Sequence, residues 1–375
     1  MITYDPKKYK SFTHSADLYA KAVLSGEVPA CRFVKLAAKR HLEDRMRDDI
    51  WFDEAAADKV IEFFSYLQHT KGREWAGQPF VLEGWEVFIV SCIFGWKRAD
   101  GYRRFRTIYI QVARKNGKST LIAAILLYLL VADGEPGAEV YTAATKRDQA
   151  IIVFNEAVNM RNKSPALRKR IGKFKNNLHI DATASKLEPL GADADTMDGL
   201  NVHAAGVDEL HAHKTRAVWD VLETATGART QPLLIGITTA GFNQNGICFE
   251  QYEYVSQILK GAVADDTYFG IIFTLDLKKD WPDLQTAKEH AEDPNGTAED
   301  DWTDPANWPK ANPNLGVSVY LDDLERKAAK AAQIPGAVNN FLTKHMDVWT
   351  QQATRWIDLA LWDQNFTKEI YEMEG

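Results

Sequence analysis

Ala113-Arg114-Lys115-Asn116-Gly117-Lys118-Ser119-Thr120 is the stretch on which the fold turns. It follows Thr107 to Val112, which reads as a buried strand. It opens Lys118 to Leu130, which reads as an apolar helix. A strand, a glycine-bearing turn and a helix make the context a phosphate-binding loop requires. Backbone N–H groups at the helix start face the phosphates, and the helix dipole favours their charge. Lys118 would reach the β- and γ-phosphates of a bound nucleotide, and the Ser119 hydroxyl would ligate Mg²⁺. The pattern departs from GxxxxGK[ST] at its first position, where Val112 stands.

Working outward, strand-like and helix-like runs alternate. Ala138 to Ala143, Val202 to Val207 and Leu233 to Thr238 read as buried strands. Arg147 to Met160 and Arg216 to Thr224 read as helices. Such alternation predicts a parallel sheet flanked by helices. The second strand signal, Ala204-Ala205-Gly206-Val207-Asp208-Glu209, ends in two carboxylates. Asp208 suits the metal, through water, and Glu209 an attacking water. One carboxylate could not serve both. The third, Ile235-Gly236-Ile237-Thr238-Thr239-Ala240-Gly241, ends in hydroxyls that can sit beside a γ-phosphate.

The flanks differ. Residues 1–77 read as a helical lead-in: Asp17 to Leu24, Phe33 to Leu42 and Ala55 to Leu67 carry apolar residues at helical spacing. Beyond Gly241 the texture is mixed. Glu250 to Leu259 and Leu321 to Gln333 read as helices, Tyr268 to Leu275 as a strand, and Asp280 to Asn314 as a long loop holding Trp281, Trp302 and Trp308. The expected division is 1–77 lead-in, 78–241 core and 242–375 lid or linker.

Composition excludes several classes. The chain has 375 residues, 45% hydrophobic and 26% charged, which fits neither disorder nor a fibrous repeat. Cys31, Cys92 and Cys248 are too dispersed for a disulfide scaffold or a CxxC zinc pattern. Leu121 to Ala132 is too short for a bilayer span, which needs about 20 residues, so no membrane partner is expected. His203, His211 and His213 read as polar or supporting groups rather than a zinc site. Net charge is -7, yet it is segregated. Arg161 to Lys175 is basic without an acid, Arg103, Arg104 and Arg106 form a second basic cluster, and Asp280 to Asp304 is acidic. Either basic cluster reads as a solvated face or as a track for DNA phosphates.

At these residues the sequence resembles the large terminase subunit, the ATP-driven DNA-packaging motor of tailed double-stranded DNA bacteriophages, in its siphophage type. The resemblance runs from Ala30–Leu42 to Trp308-Pro309-Lys310-Ala311-Asn312-Pro313. It rests on a loop that lacks the first glycine and carries an arginine, Arg114, on Asp208-Glu209-Leu210-His211, and on Thr238-Thr239. It implies an α/β, P-loop ASCE-type (RecA-like) parallel sheet with a C-terminal lid. It also implies ATP and Mg²⁺, a loop from Arg114 to Thr120 around the phosphates, and a homo-oligomeric ring docked transiently at the procapsid portal in the host cytoplasm. Double-stranded DNA, the portal protein and the small terminase subunit are the implied partners. Lys118 and Arg114 would offset charge on the γ-phosphoryl group, Glu209 would activate water, Thr238 and Thr239 would couple, and Arg229 or Arg147 would reach into a neighbouring subunit's site.

The family's adenine segment usually reads Trp-Gln, where this chain has Trp85-Glu86. A carboxylate accepts from the adenine amino group but cannot donate to a ring nitrogen. The family's nuclease domain is expected to be absent, because Asp358, Asp363 and Glu369 are too scattered to form its core. DNA cleavage would then belong to an intact protein. Two other readings stay open. A DExH helicase fits Asp208 to His211 but lacks a QxxGRxxR string after Gly241. A nucleotide-gated scaffold would bind partners without turnover.

Overall fold

The computed structural model describes residues 4–191, 199–293 and 297–351. The chain opens with α1 (Ser15–Ser25), α2 (Arg32–Asp44), β1 (Ile50–Phe52), α3 (Glu54–Ser65), α4 (Gly84–Gly95) and β2 (Trp96–Arg98). The central part holds β3 (Thr107–Gln111), α5 (Lys118–Val131), β4 (Glu139–Ala143), α6 (Arg147–Lys163), α7 (Pro165–Arg170), β5 (Gly172–Phe174), β6 (Asn177–Ile180), β7 (Ser185–Pro189) and β8 (Val202–Asp208). It continues through α8 (Ala217–Thr224), β9 (Leu233–Thr238), α9 (Ile247–Leu259) and β10 (Tyr268–Ile272). Then come α10 (Ala287–Glu292), α11 (Leu321–Gln333) and α12 (Pro335–His345).

The large sheet runs in the order β10-β3-β9-β8-β4-β7-β6-β5. Pairing is parallel from β10 to β7, and antiparallel from β7 through β6 to β5. The inner strands β3, β8 and β9 are buried almost end to end, which is why they lack polar alternation. Helix α5 is apolar on every side because it lies under the sheet. Gly206 allows that approach: a Cβ there would lie 2.7 Å from Ile122 Cδ1.

Two boundaries differ from the sequence reading. The core does not stop at Gly241, since β10 pairs along the whole of β3 as an edge strand of the same sheet. A separate small core begins after it, built from Leu275, Trp308, Leu324, Ala331, Phe341 and Met346. The first helices are not a detachable lead-in either. Phe33, Ala37 and Phe64 belong to the same apolar core as the sheet, and β1 pairs with β2.

Sheet order brings the three signals together. Strand β9 lies between β3, which leads into the loop, and β8, which ends in the carboxylates. The ends of β3, β8 and β9 therefore open on one rim, where ligands bind in open parallel sheets.

Candidate active site

The loop from Ala113 to Gly117 is shaped by two left-handed residues, Lys115 (φ 74) and Gly117 (φ 82). Lys115 carries that conformation at some cost, as a side chain there is strained. Gly117 carries it freely, and a Cβ on it would meet nothing closer than Glu86 Oε1 at 3.8 Å, so the turn is open to a ligand. Arg114 and Lys115 are exposed on this loop. Lys118 is buried, and its ammonium donates to the carbonyls of Val112 at 2.9 Å and Ala113 at 3.1 Å. An ammonium has three donors, so one remains for a phosphate.

Ser119 Oγ donates to Asp208 Oδ2 at 2.9 Å, joining the start of α5 to the end of β8. Burial, then the adjacent Glu209, pushes the Asp208 carboxyl up to about 6. Glu209 goes the other way. Burial works upward, but contact with His211 and the charges of Lys118 and Arg114 outweigh it and hold the group at about 2. Its backbone is left-handed (φ 50), which ends the strand's alternation at this residue. Glu209 Oε2 lies 3.1 Å from His211 Nδ1, yet makes no hydrogen bond of its own.

Thr238 and Thr239 are both fully buried. Their hydroxyls do not point into open space. Thr238 Oγ1 donates to the Thr239 carbonyl and meets His211, while Thr239 Oγ1 donates to the Ala240 carbonyl. Of the histidines, His203 lies at the opposite end of β8 and pairs with Asp133 at 2.8 Å, whereas His211 sits beside Glu209.

Beside Gly117 and Thr120 is a cavity of about 150 Å³, lined also by His69, Phe80, Val81 and Glu86. Glu86 is 3% exposed, accepts the Glu83 N–H at 2.9 Å, and is pushed by burial up to about 8. It is therefore mostly protonated at neutral pH. From the sequence it reads as a carboxylate without a donor, and burial supplies the missing O–H. Trp85 needs correction: its ring is 2% exposed and does not line this cavity. Its indole N–H is taken by Asn314 Oδ1 at 2.7 Å.

Asn116 is also different from its expected role. Its side chain is fully buried and faces protein. Nδ2 donates to the Ala113 carbonyl and to Asn312 Oδ1, each at 3.1 Å, and Oδ1 accepts the Asn314 N–H at 3.0 Å. Ser318 Oγ closes the clasp on the Lys115 carbonyl at 2.7 Å, and the Lys344 carbonyl accepts the Arg114 N–H at 3.0 Å. None of these C-terminal partners stands out as a site residue in the sequence. The loop touches them across some 200 positions, and no local spacing encodes such a contact.

The two arginines expected to act across subunits separate. Arg229 is half-buried, paired with Glu135 at 2.9 Å and donating to the Gly137 and Asn201 carbonyls at the far end of the sheet. Its guanidinium is already spent internally. Arg147 is exposed at the start of α6, on the same rim as the loop. The cluster Arg103, Arg104 and Arg106 also needs correction. Arg103 and Arg104 are each 1% exposed and paired with Asp133, Asp44 and Asp266, so they cannot form a DNA track. In the run from Arg161 to Lys175, Arg168, Lys169, Arg170, Lys173 and Lys175 are exposed.

The model "Terminase large subunit, ATPase domain" matches residues 84–257, and "Terminase large subunit, endonuclease domain" matches residues 294–375. The chain belongs to the terminase large-subunit family. It is 26% identical over 318 residues to the terminase large subunit of Enterobacteria phage HK97, covering 82% of this chain and 56% of that one. It is 37% identical over 179 residues to protein YmfN of Escherichia coli (strain K12), 47% of this chain and 35% of that protein. The crystal structure of the HK97 large terminase superposes with a TM-score of 0.63 at 25% identity, over 78% of this chain and 55% of that chain. This terminase chain thus spans about half or less of the curated relatives it matches. The endonuclease match begins inside the segment read as lid, where no nuclease part was expected. Among the described residues of that segment lie α11 and α12, with no grouping of His, Cys, Asp or Glu fit to hold a metal. Asp358, Asp363 and Glu369 fall outside the described residues.

Proposed function

We propose that this chain binds and hydrolyses ATP, and that the hydrolysis drives double-stranded DNA into a procapsid. The observation that carries the reading is the 2.9 Å contact between Ser119 and Asp208, which puts a loop hydroxyl and a strand-end carboxylate at one point. Both are hard oxygen donors, which suits Mg²⁺ with phosphate and water completing its shell. The raised Asp208 carboxyl fits too, as a buried acid that a cation would return to its charged form. When bound, the ion supplies neutralisation of charge on the β- and γ-phosphate oxygens.

The chain's own groups do the rest. Gly117 and the first N–H groups of α5 cradle the phosphates, and the free donor of Lys118 points its charge at them. Arg114 adds a second cation at the loop rim. Glu209 orients water in line with the γ-phosphorus. A carboxylate held near 2 is a weak base, but the loose transition state of phosphoryl transfer asks for position before basicity. Protonated Glu86 offers adenine a donor and an acceptor at once, doing the work of the family's Gln. Arg147, exposed at the start of α6, would reach the site of a neighbouring copy. The exposed cations from Arg168 to Lys175 track DNA phosphates without reading bases.

Phosphate release measured against protein concentration, with and without double-stranded DNA, tests the reading. A rate per chain that climbs with concentration supports sites completed between subunits. No release at any concentration, with Mg²⁺ and DNA present, sinks it.

A further inference from the structure

Helix α12 sends one cation into the wall of the cleft. Lys344 is 8% exposed, and its Nζ lies 3.0 Å from His211 Nε2. The other ring nitrogen, Nδ1, lies 3.1 Å from Thr238 Oγ1, 3.4 Å from Thr239 Oγ1 and 3.1 Å from Glu209 Oε2. One histidine therefore touches a helix of the C-terminal core, the end of β9 and the carboxylate after β8.

Counting hydrogens fixes the ring's state. The Thr238 hydroxyl owns one hydrogen, given to the Thr239 carbonyl at 2.8 Å, while its oxygen accepts the His211 backbone N–H at 3.0 Å. Toward that oxygen Nδ1 can act only as a donor. With the proton on Nδ1, a neutral imidazole carries its lone pair on Nε2. An ammonium has donors and no acceptor, so Lys344 is matched to this tautomer and mismatched to the other. A second proton on the ring would set two cations 3.0 Å apart in a buried place, so the ring stays neutral.

We infer that Lys344 is a positioning residue: it fixes His211 as the Nδ1–H tautomer and so ties Glu209 and Thr238 to α12. The inference deepens the ATPase reading and rests on it for its consequence, though not for its geometry. Lys344 also anchors the loop from its backbone, because its carbonyl accepts the Arg114 N–H. Displacing α12 would thus loosen the phosphate loop and release the His211 ring that lies against Glu209 in one movement.

The test is nitrogen NMR of the histidine rings in the full chain, with His211→Gln used to assign the His211 signals. Wild type should show protonated Nδ1 and an accepting Nε2. Lys344→Met should shift the ring toward the Nε2–H form or toward protonation, while Lys344→Arg, which keeps a cationic donor, should retain Nδ1–H. Phosphate release should fall about tenfold or more in Lys344→Met through misplacement of Glu209, and recover in part in Lys344→Arg. An Nε2–H ring in wild type, or an unchanged Nδ1–H ring in a folded Lys344→Met, overturns the inference. If Lys344→Met does not fold, loss of Nδ1–H in a folded Lys344→Arg overturns it instead. A chain that shows the tautomer dependence but hydrolyses no ATP supports the positioning role and refutes the functional reading, so the two fail separately.

Discussion

The two rims of the sheet hold similar side chains in opposite states. At the amino ends of the strands, buried charges are matched. Arg103 pairs with Asp133, which also holds His203; Arg104 pairs with Asp44 and Asp266; Arg229 pairs with Glu135. At the carboxyl ends they are not. Lys118 finds only carbonyls, Glu209 Oε2 lacks a hydrogen bond, and Asp347 is fully buried with Oδ2 unpartnered. The same fold that neutralises one rim leaves the other unfinished. That is the state expected where a charged ligand supplies the missing partners.

Breaking the matched rim should have the largest effect. Arg103→Met takes the permanent cation from Asp133 and leaves it His203 alone, which costs up to about 3–5 kcal/mol of stability. Urea unfolding would show it, and nucleotide affinity of the folded fraction should not change. If Arg103→Met unfolds like wild type, the amino rim is not structural. On the unmatched rim the order reverses. Lys118→Ala and Glu209→Ala should each lower turnover by about a hundredfold or more with melting temperature held or raised. Glu209→Ala should still bind ATP, while Lys118→Ala should bind it poorly. Equal loss of binding in both would remove the assigned role of Glu209.

The rims should also answer pH with opposite signs. On Asp133 burial works upward, but Arg103 and His203 prevail and hold it at about 2. Its stabilisation is complete above the ordinary carboxyl value and is lost as pH falls toward 2. Burial pushes Asp347 up to about 7. Its contribution is complete below the ordinary value and is lost as pH rises toward 7. Asp347→Asn should therefore gain on the order of 1–3 kcal/mol at pH 8 and almost nothing at pH 4. Denaturant midpoints across that range check it; a pH-independent difference would show that Asp347 is not titrating there.

The smallest effect on the fold belongs to the solvated cations. Replacing Arg168, Lys169, Arg170 and Lys173 with Ala should leave stability within about 0.5 kcal/mol. DNA affinity should drop, with the salt slope falling by about 0.9 for each phosphate no longer neutralised. Binding that keeps its salt dependence would move the DNA track elsewhere on the surface.

The legible part of the site is the part written locally. Strand, loop and helix around Gly117 adjoin in sequence, and Asp208-Glu209 and Thr238-Thr239 each end an apolar run, so composition and context suffice. The arginines at 103 and 104 are ambiguous because a buried pair and a solvated patch look alike until the partner carboxylates are located. Trp85 is misplaced for a similar reason, since a ring beside a ligand and a ring beneath it share one letter. Of the sheet, β3, β4, β8 and β9 are readable, while the short β5, β6 and β7 with their antiparallel pairing are not. The membership of β10 is not, as nothing in a short apolar run says which edge it joins. Asn312, Asn314 and Lys344 act through contacts about 200 residues from the loop in sequence, beyond any spacing rule.

Asn116-Gly117 is the dipeptide in which an unrestrained asparagine most readily cyclises and deamidates, because glycine leaves its own nitrogen free to attack the amide. Here the amide is immobilised between Asn312, Asn314 and the Ala113 carbonyl, out of reach of solvent. An aspartate formed at that position would plant a negative charge under the phosphates. Cyclisation at Asn116 therefore requires its C-terminal clasp to open first.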